Sequence, residues 1–379
     1  MGQSNLEERL IAIRRHFHQY PELSGEEFET TKTIRSLLEQ AGIPILETSL
    51  QTGLVAQISG KKQDPIIALR ADIVALPIQE ETDLPYASKI PGKMHACGHD
   101  FHTAALIGAA YLLKEEEEEL NGSVRFIFQP SEEIGGGAEK VIAAGHLEKV
   151  KAIFGLHNKP DLPVGTVGIK RGPLMASVDR FIIEVEGVGT HAAVPHAGID
   201  SIVVASHIVI ALQTIVSRQL SSFDNAVISV AHISAGNTWN VIPRTVFLEG
   251  TVRAFSAETR EKIPKFIQQI ITGVANAHGA QATLRWMPGP PPVLNEEKAT
   301  ELSVQTAEQL GLNVVEPTPS MAGEDFAVYQ KKISGSFVFI GTSGTHEWHH
   351  PAFTLDERAL PIAARYLAEV AKKALKHFK

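Results

Sequence analysis

Cysteine is almost absent from this sequence: one residue, Cys97, in 379. A single thiol forms no internal disulfide, which excludes a disulfide-stapled scaffold and suits a reducing, cytoplasmic compartment. Positive charge is not in excess either. The net charge of −8 argues against a nucleic-acid binder. Long apolar runs are missing: the most apolar stretch, "SIVVASHIVIALQTIVS" (201–217), is broken by His207 and Gln213 and reads as too short and too polar to span a bilayer. The start, "MGQSNLEERL", lacks the apolar centre of a signal peptide, and Leu6 stands where a myristoylation motif needs Ser or Thr. A soluble cytoplasmic protein is expected.

What is present is an ordinary globular composition, 44% hydrophobic and 21% charged, on a chain longer than one core usually serves. Two helical segments open it, one stopping at Pro21 and one at Gly42. Short apolar runs bounded by Gly and Pro follow at 53–59, 65–72, 123–130 and 150–157, the pattern of buried strands in an α/β sheet. From 179 the order becomes β-α-β-β-α-β, that of a ferredoxin-like split unit, closed by the proline-rich "PGPPPVLN" (288–295). The expected fold is α/β: a discontinuous catalytic domain (1–178 and 291–379) with a mixed central sheet flanked by helices, carrying an inserted ferredoxin-like α+β lid and dimerisation domain (179–290).

The polar residues cluster in four places. Cys97 and His99 are spaced C-x-H just before an apolar helix, so a thiolate and an imidazole could reach one metal, although a lone cysteine near histidines is more often an inert buried residue. Glu132 and Glu133 end an apolar strand in "QPSEEIGGG", where adjacent side chains diverge; a solvated loop pair is the plainer alternative. His157 closes the apolar strand "FGLH", at the kind of strand end where ligands collect, or as a hydrogen-bonded structural histidine. His346, His349 and His350 crowd the loop before Pro351. Thiolate, carboxylate and imidazole together suit zinc, manganese, cobalt or nickel rather than calcium.

"PELSGEE", "ALRAD", "MHACGHDFHTA", "FQPSEE", "GTHAAVPH", "NVIP", "GTVRAF", "GEDF" and "HHPAFTLDE" occur in that order. Over nearly the whole chain the sequence resembles the amidohydrolase branch of the metal-dependent aminoacylase and carboxypeptidase family. The resemblance implies two divalent ions per subunit, held by Cys97, His99, Glu133, His157 and His349, with His350 as the fallback and Cys97 as the bridging ligand. It implies Glu132 as the general base and His191 as a donor to the oxyanion, in its own or a partner subunit's site. Asn240, Arg253 and Glu324 would meet the substrate, Arg253 its free carboxylate, and Asp72 would support the metal ligands. His95 and His102 read as structural. The implied activity is hydrolysis of N-acyl L-amino acids with a small acyl group such as acetyl, N-acetylcysteine among them, by a homodimer or homotetramer. A metallo-exopeptidase acting on dipeptides is the alternative, and a hydrolase using Cys97 as nucleophile is another.

Overall fold

A computed structural model describes residues 3–378. Met1, Gly2 and Lys379, the outermost residues of the expected catalytic domain, lie outside the described residues. The chain divides into two compact units: the first runs to Gly172 and takes in Leu294–Thr318 and Asp325 onward, and the second comprises Pro173–Val293 and Pro319–Glu324.

The first unit is built on a seven-stranded mixed sheet, in the order Leu54–Ser59, Ser123–Gln129, Ile66–Asp72, Val150–Lys159, Ser334–Gly341, Thr166–Gly168 and Asn313–Val315. The four middle strands from Ser123–Gln129 to Ser334–Gly341 are parallel, and Leu54–Ser59 pairs antiparallel to Ser123–Gln129. Strands Ile66–Asp72 and Ser123–Gln129 are buried at every position, as parallel strands covered on both faces must be. Helices Gln3–Gln19, His99–Glu115 and Ala359–His377 belong to one apolar core with this sheet. This mixed sheet flanked by helices is the α/β architecture expected for this part of the chain. Its functional consequence lies at the strand ends: Asp72, Gln129 and His157 all stand at or near the C-terminal ends of adjacent parallel strands, where an open α/β sheet presents its ligands.

In the second unit, strands Gln281–Pro288, Asp179–Glu186, Thr245–Ala254 and Ala226–Ala235 form a four-stranded antiparallel sheet in that order. Helices Ser201–Thr214 and Ala257–Ala277 bury Val204, Ile208, Leu212, Ile263, Ile267 and Ile271 in the core it shares with the sheet. Asp200 caps the first helix by accepting from the Ile202 and Val203 N–H groups. That helix continues through Gln219, giving 19 residues that by length and composition alone are long and apolar enough to cross a membrane. The stretch had read as too short; the turn at Ile215–Gln219 extends it. A two-stranded ribbon, Thr190–His191 with Val241–Ile242, completes the unit.

Candidate metal centre

The turn before helix His99–Glu115 sets the centre. Gly98 has φ of 80°, and a Cβ there would lie 2.4 Å from Asn158 Nδ2, so the position accepts glycine alone. Asn158 Nδ2 donates to the Cys97 carbonyl at 2.6 Å, pinning the loop to the end of strand Val150–Lys159. Cys97 is buried, with Sγ 3.5 Å from His157 Nε2.

Two imidazoles have their tautomers fixed by carbonyl acceptors. His99 Nδ1 lies 2.8 Å from the Val74 carbonyl and His157 Nδ1 2.8 Å from the Asn158 carbonyl. A carbonyl oxygen only accepts, so each Nδ1 carries the proton and each Nε2 presents a lone pair. That is the orientation a metal-ligating histidine takes. Among the described residues His99 Nε2 is buried without a hydrogen-bond partner, and so is Glu133 Oε1, 3.9 Å away. His349 Nε2 stands 3.4 Å from the same Glu133 oxygen. His349 is held with φ of 65° while its N–H donates to the Ala96 carbonyl at 2.9 Å, which ties the C-terminal loop to the Cys97 loop. His350 instead stacks on His346 and accepts from the Ala352 N–H.

Ligand atoms of Cys97, His99 and His157 lie within 4.8 Å of one another, as do those of Cys97, Glu133 and His349, and of His99, Glu132 and Glu133. The residues fit a pair of transition-metal ions. Lone pairs facing one another across buried space would repel unless a cation lies between them, and thiolate, imidazole and carboxylate are the donors such ions take. His349 and Glu133 polarise each other: the Glu133 carboxylate raises the His349 pKa, while Glu133, raised by burial, is lowered more by His349 and His99.

Beneath these atoms Asp72 is buried. Its Oδ1 accepts from His102 Nδ1 at 2.6 Å and its Oδ2 from Arg70 Nη1 at 2.8 Å, with His99 Nε2 3.7 Å away. Burial acts to raise its pKa, but His99, Arg70 and His102 hold it well below the usual carboxylate range. His102 Nε2 accepts the Asn158 backbone N–H at 2.9 Å, so both its nitrogens are engaged. His95 is buried with neither ring nitrogen partnered among the described residues, and burial pushes its pKa down to about 3.

The second unit holds the other expected residues. His191 and Asn240 share the short ribbon, where Val241 is the register partner of His191 and the Ala192 N–H donates to the Asn240 carbonyl. His191 Nδ1 accepts from the Ala193 N–H at 3.0 Å, so in the neutral ring Nε2 carries the proton. Arg253 lies on the sheet with Nη1 buried and unpartnered among the described residues; burial lowers its pKa against the opposing pull of Asp179. Glu324 is buried at the end of Pro319–Glu324.

One network escaped the sequence. Asp325, next to Glu324 in "GEDF", belongs to the first unit, where its carboxylate accepts from Arg70 Nη2 at 2.7 Å, Gln129 Nε2 at 2.8 Å and the Ala138 N–H at 3.0 Å. Arg70 thus holds Asp72 and Asp325 at once. The only signal was a pair of charged residues, Arg70 and Asp72, in the otherwise apolar run 65–72.

Known proteins resemble this chain over most of its length. The model of peptidase family M20/M25/M40 matches residues 68–373. An N-acetyl-L-cysteine deacetylase of Bacillus subtilis (strain 168) is 55% identical over 98% of this chain and 89% of its own, and an N-acetylcysteine deacetylase of the same strain is 53% identical over the full length of both. The crystal structure of a Bacillus subtilis dinuclear metal-binding peptidase from the M20 family superposes with a TM-score of 0.91 at 51% identity, covering 98% of this chain and 99% of that one. The chain belongs to peptidase family M20/M25/M40.

Proposed function

We propose that this protein is a metal-dependent amidohydrolase that cleaves N-acyl L-amino acids to a carboxylic acid and a free amino acid, with N-acetylcysteine the first substrate to try. The observation that carries the reading is the convergence of ligand atoms from His99, Glu133, His157 and His349 around the single thiol, with His99 Nε2 and Glu133 Oε1 buried and unpartnered among the described residues. Cys97 belongs to two of the ligand groups, one with His99 and His157 and one with Glu133 and His349, so these five residues would hold two ions. The relatives named for deacetylation of N-acetylcysteine support the substrate class.

When bound, two divalent ions supply Lewis acidity toward the amide carbonyl and make a water acidic near neutral pH. Manganese, zinc, cobalt and nickel all suit this donor set. Glu132, partly exposed beside His99 and Glu133, accepts the proton of the attacking water and returns it to the departing amine. His191 offers Nε2–H to the developing oxyanion, a role its fixed tautomer suits. The unpartnered Arg253 guanidinium binds the substrate's free carboxylate, with Asn240 and Glu324 completing recognition. Asp72 orients His102 from below, and the Val74 carbonyl orients His99.

We read residues 179–290 as a ferredoxin-like lid and dimerisation domain inserted into a catalytic domain of 1–178 and 291–379. Ile202, Val203 and Ile210 on one helix and Ile233 on the edge strand Ala226–Ala235 are exposed, as are Phe223 and Trp239 flanking that strand. An apolar face beside an open strand edge favours a second copy, giving a homodimer or a tetramer built from it. The protein is assigned to the cytoplasm on its lone thiol.

The test is amine release from a panel of N-acetyl and N-benzoyl amino acids and dipeptides, with Glu132→Gln as the control. Turnover of N-acyl amino acids that Glu132→Gln reduces about 100- to 10,000-fold supports the reading. Preference for dipeptides would favour an exopeptidase. A second reading, Cys97 as nucleophile with His157 as base, has their 3.5 Å contact in its favour but leaves the His99 and Glu133 lone pairs without a role.

A further inference from the structure

Ser131, the residue before Glu132, has φ of 57°. An L-residue other than glycine rarely holds this left-handed conformation unless its surroundings impose it. Its own hydroxyl does not impose it, because Oγ is buried with no hydrogen-bond partner among the described residues. The constraint comes from far away in sequence. Glu27, fully buried, accepts the Ser131 backbone N–H on Oε1 at 2.8 Å. Its other oxygen accepts from the Gly25 N–H at 2.9 Å and from Thr52 Oγ1 at 2.8 Å.

Glu27 is itself anchored. It precedes helix Phe28–Gln40 but does not cap it; the first-turn N–H groups of Glu29 and Thr30 go to Glu22 instead. The Glu27 carbonyl accepts from Thr31 Oγ1, which in turn accepts the Gly53 N–H at 2.7 Å. Two chain segments therefore hold one carboxylate in place, and that carboxylate holds one peptide N–H. The direction of the chain at Ser131 sets where the next two side chains emerge.

We propose that Glu27 is a positioning residue for Glu132, acting through the strained backbone of Ser131. The inference rests on the reading of Glu132 as the base and extends to Glu133, whose ligand oxygen shares the same turn. A glutamine at 27 has one acceptor oxygen where the carboxylate has two, so its NH2 would face either the Ser131 N–H or the Gly25 and Thr52 donors that anchor the side chain, and the clamp on Ser131 is lost or loosened. With Ser131 free to relax, Glu132 and Glu133 leave their places.

The test is a double-mutant cycle of Glu27→Gln and Ser131→Gly, because glycine adopts φ near 57° at no steric cost and needs no clamp. Each protein is assayed for kcat and KM at saturating manganese, for manganese affinity by competition with a fluorescent chelator, and for Tm. Glu27→Gln is expected to lower kcat and manganese affinity by about 10- to 100-fold each, with little change in KM. In the Ser131→Gly background the same substitution is expected to lose most of its effect on both. Thr52→Val, which removes one prop of Glu27 and keeps its charge, is expected to give a smaller fall that Ser131→Gly also relieves.

A Glu27→Gln protein with unchanged kcat and manganese affinity overturns the inference. So does a fall in both that accompanies a lowered Tm and persists undiminished in the Ser131→Gly background, since that is the signature of a merely structural acid. If Glu27→Gln does not fold, Thr52→Val decides by the same criterion. Glu132→Gln separates the two levels: an active Glu132→Gln protein overturns the base assignment and this inference with it, whereas an inactive one beside a failed rescue overturns only the role of Glu27.

Discussion

His102 donates a 2.6 Å hydrogen bond to Asp72, and the same aspartate accepts from Arg70 at 2.8 Å. Asp72 is therefore the joint between a buried guanidinium and the histidines of helix His99–Glu115. Asp72→Asn leaves Arg70 paired with Asp325 but weakens the charge-assisted hydrogen bonds from Arg70 and His102, which costs about 1.5–3 kcal/mol. Chemical denaturation should show that loss, and metal affinity should fall about 10- to 100-fold. A variant of wild-type stability and metal affinity would remove Asp72 from the support of the centre.

The Cys97–His99 turn depends on Gly98 for two separate reasons, its φ of 80° and its approach to Asn158. Gly92, with φ of 73° and nothing within 4 Å of an added Cβ, isolates the first. Gly92→Ala should cost about 1–2 kcal/mol. Gly98→Ala should cost clearly more and should lower metal content as well, measured by elemental analysis. Equal effects would mean that the Asn158 contact is slack.

A pH effect on stability follows from His18. It is buried between Asp100, 2.8 Å from Nδ1, and Glu80, 3.2 Å from Nε2. Burial opposes its protonation, but the bonds to Asp100 and Glu80 prevail and its pKa is raised. A folded pKa above the unfolded one gives stability that is fully present below about pH 6.5 and is lost as pH rises through the folded value. His18→Gln should therefore destabilise the protein at pH 6 more than at pH 9, in urea titrations at both. A pH-independent difference would mean that His18 is not charged in the native protein.

Arg253 tests substrate recognition. Its unpartnered Nη1 predicts that Arg253→Met raises KM for N-acetyl amino acids, or lowers kcat/KM, by about 10- to 100-fold, the range for a hydrogen bond to a charged group. The matching amides, which lack the free carboxylate, should be affected little. Equal losses on both would place the carboxylate elsewhere.

Four of the seven strands of the first unit were legible as short apolar runs between Gly and Pro, whereas Thr166–Gly168, Asn313–Val315 and Ser334–Gly341 were not singled out. The antiparallel direction of the edge strand Leu54–Ser59 was not legible, since strand direction depends on partners distant in sequence. The ribbon carrying His191 is two residues per strand, too short for any periodicity. At the candidate centre, residue chemistry pointed to Cys97 and His99, the Glu132–Glu133 pair, His157 and the histidines before Pro351, on separate stretches of chain, and the family resemblance singled out Glu133 and His349. The acids that hold others in place were invisible: Glu27 and Asp325 look like surface charges until Ser131 and Arg70 are seen to meet them. Their bonds span 104 and 255 positions, and no local pattern records a contact of that range.

The most direct measurement is metal content and turnover of an N-acetyl amino acid on the same preparation: as purified, after chelation, and after titration with manganese, zinc, cobalt or nickel. The account predicts that activity vanishes with chelation and returns as two ions per chain are bound. Turnover that survives complete removal of metal would contradict it and leave Cys97 and His157 as the reacting pair.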